Sequence, residues 1–246
     1  SYYKYFAALL LFGSNGIVAS NINLPSYEIV LLRLLLGSLF LITVFTVSRQ
    51  RFTFYRNKHT CLYLFISASA MGASWMLLYE AYQQVGISIA SLAYYCGPVI
   101  VMILSPFLFR ETLTWPKIAG FLTVLAGMCL VNLQALDEGK TIWGLFCGLM
   151  SAFMYALMVT ANKKAKPESG LENSLLQLVI GSFIVVAFVS MQKNFVLSLT
   201  TIDWIPVLVL GLLNTGIGCY LYFSSITDLP CLLYTSPSPR DRSLSR

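Results

Sequence analysis

Eight long apolar stretches, separated by short polar breaks, fill residues 5–226. They predict helices over about Tyr5–Asn21, Tyr27–Val47, Cys61–Tyr82, Ser88–Phe109, Pro116–Gln134, Ile142–Asn162, Asn173–Met191 and Trp204–Ile226. The fourth stretch shows the pattern most clearly. Ser88–Phe109 holds 22 residues without a charge, and about 20 helical residues span a hydrocarbon core roughly 30 Å thick. It stops at Arg110-Glu111, turns through Thr112 to Pro116, and the next apolar run begins. Pro98 removes a backbone donor inside this stretch, so a kink is expected there. Gln83–Ile87 reads as a short uncharged turn between the third and fourth helices.

Composition turns this pattern into a class. The 246 residues are 57% hydrophobic and 11% charged, with a mean hydropathy of +0.75. Soluble domains carry about 25% charged residues. The chain is therefore expected to be an all-α, polytopic membrane protein in contact with the lipid bilayer. The net charge of +6 sets orientation rather than nucleic-acid binding. Ten basic residues (Lys4, Arg49, Arg51, Arg56, Lys58, Arg110, Lys117, Lys163, Lys164 and Lys166) fall on one side if the helices alternate. Only Lys140 and Lys193 fall on the other. The positive-inside rule then places the amino terminus in the cytoplasm and the protein in the cytoplasmic (inner) membrane. Ser1 in place of a methionine suggests a trimmed start, and the first helix also resembles a signal peptide. The repeat described next requires that helix, which favours a true span.

Offset by 144 residues, the chain aligns with itself. Glu28 falls on Glu172, Leu31 on Leu175, Gly37-Ser38 on Gly181-Ser182, Gly72 on Gly216 and Leu77 on Leu221. Helix 1 falls on helix 6 at a slightly shorter offset, Phe12 on Phe153 and Asn21 on Asn162. Five helices separate the copies, an odd number, so two five-helix halves must insert in opposite senses. Inverted repeats are a frequent plan of secondary transporters. The halves are expected at residues 1–136 and 141–230, the second incomplete, with ten helices in the native protein and about eight here. Residues 231–246, with alternating serine and proline followed by arginines, cannot span a membrane. Their sequence is compatible with translated sequencing adapter, so the native chain is expected to run with this sequence only to about Pro230.

The chain resembles the EamA-type transporters of the drug/metabolite transporter superfamily. The resemblance rests on Pro25 and Arg33, on Gly72-x-x-Trp75-x-x-x-Tyr79-x-Ala81, and on Ala90-x-Leu92-x-Tyr94 with Pro98, Glu111 and Leu113-Thr114. Lys117, Gly120 and Gly127 continue it, as do Gly211, Gly216, Tyr220 and Phe223-Ser224-Ser225 in the second half. It implies ten helices, cytoplasmic termini, and alternating-access movement of small metabolites, amino acids or drugs, often outward. It also implies that the absent ninth helix faces the pathway opposite the fourth. As written, then, the chain is not expected to transport.

Candidate pathway residues are polar or amphipathic groups within spans: Asn15, Arg33, Trp75, Tyr79, Glu80, Tyr94, Tyr95, Pro98, Tyr155, Asn214 and Tyr220. Arg33 lies about 9 Å inside its helix at 1.5 Å per residue, and an intramembrane arginine is a functional candidate by default. Snorkelling to the headgroups is the alternative. Its repeat counterpart is Gln177. Glu80, at comparable depth, is expected to pair with Arg33 or to act as a proton-sensitive group; contact with interfacial water is the simpler reading. Glu111 reads as a helix stop and loop anchor. Gly144-x-x-x-Gly148 and the Ser67–Ser74 run of small residues let helices approach closely.

Other chemistries find little support. There is one histidine, His59, no HExxH motif and no close intramembrane acidic pair, so an enzyme is not expected. The six cysteines lack metal-ligand spacing and read as packing residues. No cofactor or nucleic-acid partner is implied. The expected partner is a small-molecule substrate, with proton or ion coupling and a homodimer as further possibilities. A non-transporting receptor or structural membrane protein is the alternative class, though it would not need inverted repeats.

Overall fold

The structure is a computed structural model that describes residues 2–15, 18, 22, 24, 26–109, 115–132, 142–167, 169–190 and 204–226. Every regular element among them is helical. Backbone N–H and C=O groups find no water in hydrocarbon, and a helix satisfies them within one segment. The elements are α1 (Tyr2–Gly13), α2 (Ser26–Val47), a 3-10 turn (Phe54–Arg56), α3 (Lys58–Tyr94), α4 (Cys96–Phe109), α5 (Trp115–Asn132), α6 (Ile142–Ala165) and α7 (Gly170–Ser190). The last span starts as α8 (Trp204–Leu208), continues as a π-helix (Val209–Ile217) and ends as α9 (Gly218–Ile226). Pro25, Glu111, the Asp137–Lys140 loop, Lys193 and the 231–246 tail lie outside the described residues.

Among the described residues, five stretches are long and apolar enough to cross a membrane: Tyr27–Val47, Lys58–Phe109, Ile142–Ala165, Gly170–Ser190 and Trp204–Ser225. The second of these, at 52 residues, is twice the length of a span. It folds back at Gly86, whose φ of 79° and ψ of 162° suit a residue without a Cβ. Packing against α6 shows the reversal. A Cβ on Gly148 would meet both Ala81 and Ala93, from either side of Gly86. The expected turn at 83–87 is thus a pivot at one glycine, with helical hydrogen bonding up to it on both sides. The protein is a polytopic, all-α membrane protein.

Pro98 acts differently from expectation. In a continuous helix its missing N–H would leave the carbonyl of Tyr94 without a partner. The chain instead ends α3 at Tyr94, passes through Tyr95 and starts α4 at Cys96. Pro98 then sits in the first turn of α4, where a donor is not needed. The kink is a helix break three residues upstream of the proline.

The two halves pack on each other through a pseudo-two-fold relation visible residue by residue. A Cβ on Gly37 would lie 2.9 Å from Thr215 Cγ2, and one on Gly181 would lie 2.9 Å from Met71 Cε. Gly181 and Met71 are the 144-residue counterparts of Gly37 and Thr215. Likewise Gly72 faces Ile184, and Gly216 faces Phe40. Each half therefore inserts its second span, α2 or α7, against the other half's third span. Each does so where glycine lets the backbones approach. Serines seal the α3–α6 contact: Ser67 Oγ donates to the Met158 carbonyl at 2.9 Å, and Ser74 Oγ to that of Ser151 at 2.9 Å.

Candidate substrate site

The site is built around Arg33, about two turns into α2. Its side chain is 5% exposed, so it does not reach headgroup water by snorkelling. Leu34 and Val30 on either side are fully buried, while Leu35 and Leu39 face outward. That helical register directs Arg33 to the seam between the halves. Its Nε donates to Thr215 Oγ1 at 3.0 Å, and Nη1 donates to Tyr79 Oη at 3.3 Å. The guanidinium carbon stands 4.3 Å from the ring centroid of Trp75, a contact worth about 2 kcal/mol when desolvated. Trp75 and Tyr79, four residues apart, present one face of α3. The cation is thus held by a π-face and two neutral hydroxyls, and has no ion pair among the described residues.

The π-helix supplies the second half's part. Such segments are rare and concentrate at functional sites. Here Thr215 Oγ1 both accepts the hydrogen bond from Arg33 Nε and donates to the Leu210 carbonyl, five residues back, at 2.8 Å. The preceding residue, Asn214, is buried. Its Nδ2 reaches the Leu11 carbonyl, Ser14 Oγ and Asn15 Oδ1, all within 3.0 Å. The π-turn thus ties α2 through Thr215 and α1 through Asn214.

Two groups of aromatic rings lie beyond Arg33. Tyr79 meets Tyr82 edge-on at 5.2 Å, and Tyr82 accepts from Ser91 at 3.5 Å. Tyr94 meets Tyr155 at 5.4 Å. The Tyr155 and Tyr222 hydroxyls share a hydrogen bond of 2.9 Å, and Tyr222 stacks on Tyr5 at 6.2 Å. Tyr220 lies apart, beneath Lys4, whose Nζ is 5.7 Å from its ring centroid. Tyr95, at the α3–α4 break, is 41% exposed.

Of the expected residues, the structure gathers Arg33, Trp75 and Tyr79 at one point, Asn15 with Asn214 at a second, and Tyr94 with Tyr155 at a third. The expected Arg33–Glu80 pair is not formed. Glu80 instead accepts from Gln84 Nε2, one turn along its own helix, at 3.1 Å. One residue beyond Tyr79, Glu80 is turned about 100° around the helix, away from the stripe that meets Arg33. Gln177, the counterpart of Arg33, makes the matching reach into the other half: its Nε2 donates to Ser67 Oγ at 3.0 Å. Sequence reasoning missed Thr215, Tyr82 and Tyr222. The 144-residue offset gave no sign of Thr215, since it aligns this residue with the apolar Met71.

A profile described as the EamA-like transporter family matches residues 3–133 and 142–232. The chain belongs to the EamA-like transporter family. It is 27% identical over 233 residues to "Uncharacterized transporter YxxF" of Bacillus subtilis (strain 168), covering 92% of this chain and 73% of that protein. It is 26% identical over 132 residues to "Uncharacterized transporter in sor 3'region" of Acidianus ambivalens, covering 54% of this chain and 51% of that protein. A solved crystal structure, 18% identical, superposes with a TM-score of 0.77 over 94% of this chain and 80% of that one, a likeness of fold alone. The protein is thus a multi-pass membrane transporter of the EamA-like family.

Proposed function

We propose that this transporter moves small organic solutes, amino acids or drug-like molecules among them, outward across the cytoplasmic membrane by alternating access. The amino terminus is cytoplasmic in this reading. One observation carries it: a buried guanidinium joins the two inverted halves and, among the described residues, has no carboxylate partner. A buried cation is stabilised by a counter-charge, and a solute carboxylate would supply one. The Trp75, Tyr79 and Tyr82 rings suit an aromatic or aliphatic body on the same solute. Glu172 accepts three hydrogen bonds from Thr53 and Phe54. Its counterpart Glu28 is 1% exposed, and its Oε2 has no partner among the described residues. The counterpart of the Thr53–Phe54 turn, residues 197–198, lies outside the described residues. Coupling to a proton or another ion belongs to the same reading, with Glu80 as the candidate acid.

Counterflow of amino acids, aromatic carboxylates and neutral drugs in proteoliposomes of the protein with all ten expected helices tests the proposal. At least one carboxylate-bearing solute should move. Arg33→Gln should lower its flux at least tenfold, while Phe183→Leu on the lipid-facing side of α7 leaves it unchanged. Equal flux in Arg33→Gln and the parent for every solute moved, or movement of uncharged solutes alone, would refute it.

A further inference from the structure

Far from Arg33, two adjoining cavities lie where α3 begins and α6 ends. The first, of about 350 Å³, is polar and basic: Arg56, His59, Lys164 and Lys166 line it, with Thr60 and Glu172. The second, of about 270 Å³, is apolar and runs between α3, α4 and α6 along Ile66, Leu104, Leu108, Phe153 and Leu157. Lys164 lines both. We propose that one anionic phospholipid occupies the pair. Its phosphate lies among Arg56, Lys164 and Lys166, and an acyl chain lies in the groove.

Charge and shape point to the same occupant. Three permanent cations line the first cavity against one carboxylate, and that carboxylate is occupied. Thr53 N and Oγ1 donate to Glu172 at 2.6 Å each, and Phe54 N donates at 2.9 Å. Among the described residues, no ion pair joins Arg56, Lys164 or Lys166 to an acid. The frame is fixed rather than loose. Thr60 Oγ1 donates to the Ala165 carbonyl at 3.0 Å, Asn57 caps α3 through the His59 N–H, and the His59 ring lies 4.5 Å from that of Tyr63. Basic pockets at the ends of membrane helices are ready sites for acidic headgroups. A free anion would have no use for the groove, and a neutral lipid none for the cations. Lys164 stands at the boundary, its Nζ 6.0 Å from the Tyr63 ring centroid. In a phospholipid the phosphate likewise joins the chains through a short glycerol. This inference does not depend on the solute or on transport.

Native mass spectrometry of the detergent-purified protein tests it with palmitoyl-oleoyl phosphatidylglycerol, phosphatidylcholine of the same chains, and inorganic phosphate. One phosphatidylglycerol should bind at least tenfold more tightly than phosphatidylcholine. Lys164→Gln with Lys166→Gln should remove that preference. Leu108→Asn with Leu157→Asn should weaken binding of phosphatidylglycerol about tenfold. Both leucines are 37% exposed, so the fold should tolerate the change, and size-exclusion profiles check it. Equal binding of the two lipids would overturn the proposal. So would displacement by millimolar phosphate with no effect of the leucine substitutions, which would mark a site for free anions.

Discussion

Arg33 shows how a membrane protein holds a charge that water cannot reach. Its Nε is satisfied by a threonine hydroxyl from the opposite half and Nη1 by a tyrosine of its own half, and the Trp75 ring covers one side. Leaving such a buried donor without its partner costs about 1–3 kcal/mol. Thr215→Val should therefore lower stability by about 2 kcal/mol, read as a drop in melting temperature in detergent. Thr215→Ser, which keeps the hydroxyl, should restore most of it. Indifference of the protein to valine would mean that Nε is served by something else. In the sequence, Arg33 was conspicuous as a charge within an apolar run. Its partners were not. Trp75 and Tyr79 could be put on one helical face by spacing alone, but nothing in that spacing turned the face toward α2 rather than toward lipid. The same spacing left Glu80 eligible, and only the rotation of α3 in the packed structure turns it aside.

At the scale of elements, the central contact is between the glycine faces of α2 and α7 and the third span of the opposite half. The two contacts are related by the repeat but are not equally tight. At Gly37 an added methyl would meet Thr215 Cγ2, the Gly211 carbonyl oxygen and Leu178 Cδ1, all within 3.2 Å. At Gly181 it would meet only the end of Met71 that closely, and a methionine terminus can swing away. Gly37→Ala should cost about 1–3 kcal/mol, the usual range for overpacking, and Gly181→Ala less than half of that. Melting temperatures of the two variants side by side decide it; an equal or larger loss at Gly181 would contradict the packing described. The Gly37-Ser38 and Gly181-Ser182 matches were legible as a repeat, and the repeat implied inversion through its odd helix count. The π-helix was not legible. Val209–Ile217 reads as an ordinary apolar stretch with two glycines, and its first-half counterpart remains α-helical. The wider turn forms where Thr215 and Asn214 each have a tertiary partner to meet.

For the whole molecule, Glu172 connects the two halves. It begins α7 in the second half, and its carboxylate holds the backbone of the Thr53–Phe54 turn in the first. Hydrogen bonds to a charged acceptor contribute about 1.5–3 kcal/mol each. Glu172→Gln, which keeps the shape and loses the charge, should destabilise by about 2 kcal/mol. Glu28→Gln, at the equivalent place in the other half, should change stability by less. Thermal unfolding of both variants at neutral pH is the measurement, and matching losses would show that the two carboxylates are bound alike.

The sequence by itself determined that the chain is helical and crosses a membrane. Hydrocarbon admits few other solutions to backbone hydrogen bonding, and segment length marks the stretches long enough to cross. Through the 144-residue offset it also recorded two related halves, whose counterpart glycines make reciprocal contacts, because periodicity survives in a linear string. What only the tertiary structure decided is which side chains meet. The reversal at Gly86, the helix break ahead of Pro98 and the seating of Arg33 beside Thr215 depend on the rotation and depth of each helix. Those are fixed by close packing between segments far apart in the chain, and apolar helices that are greasy on every side do not record them in their order of residues.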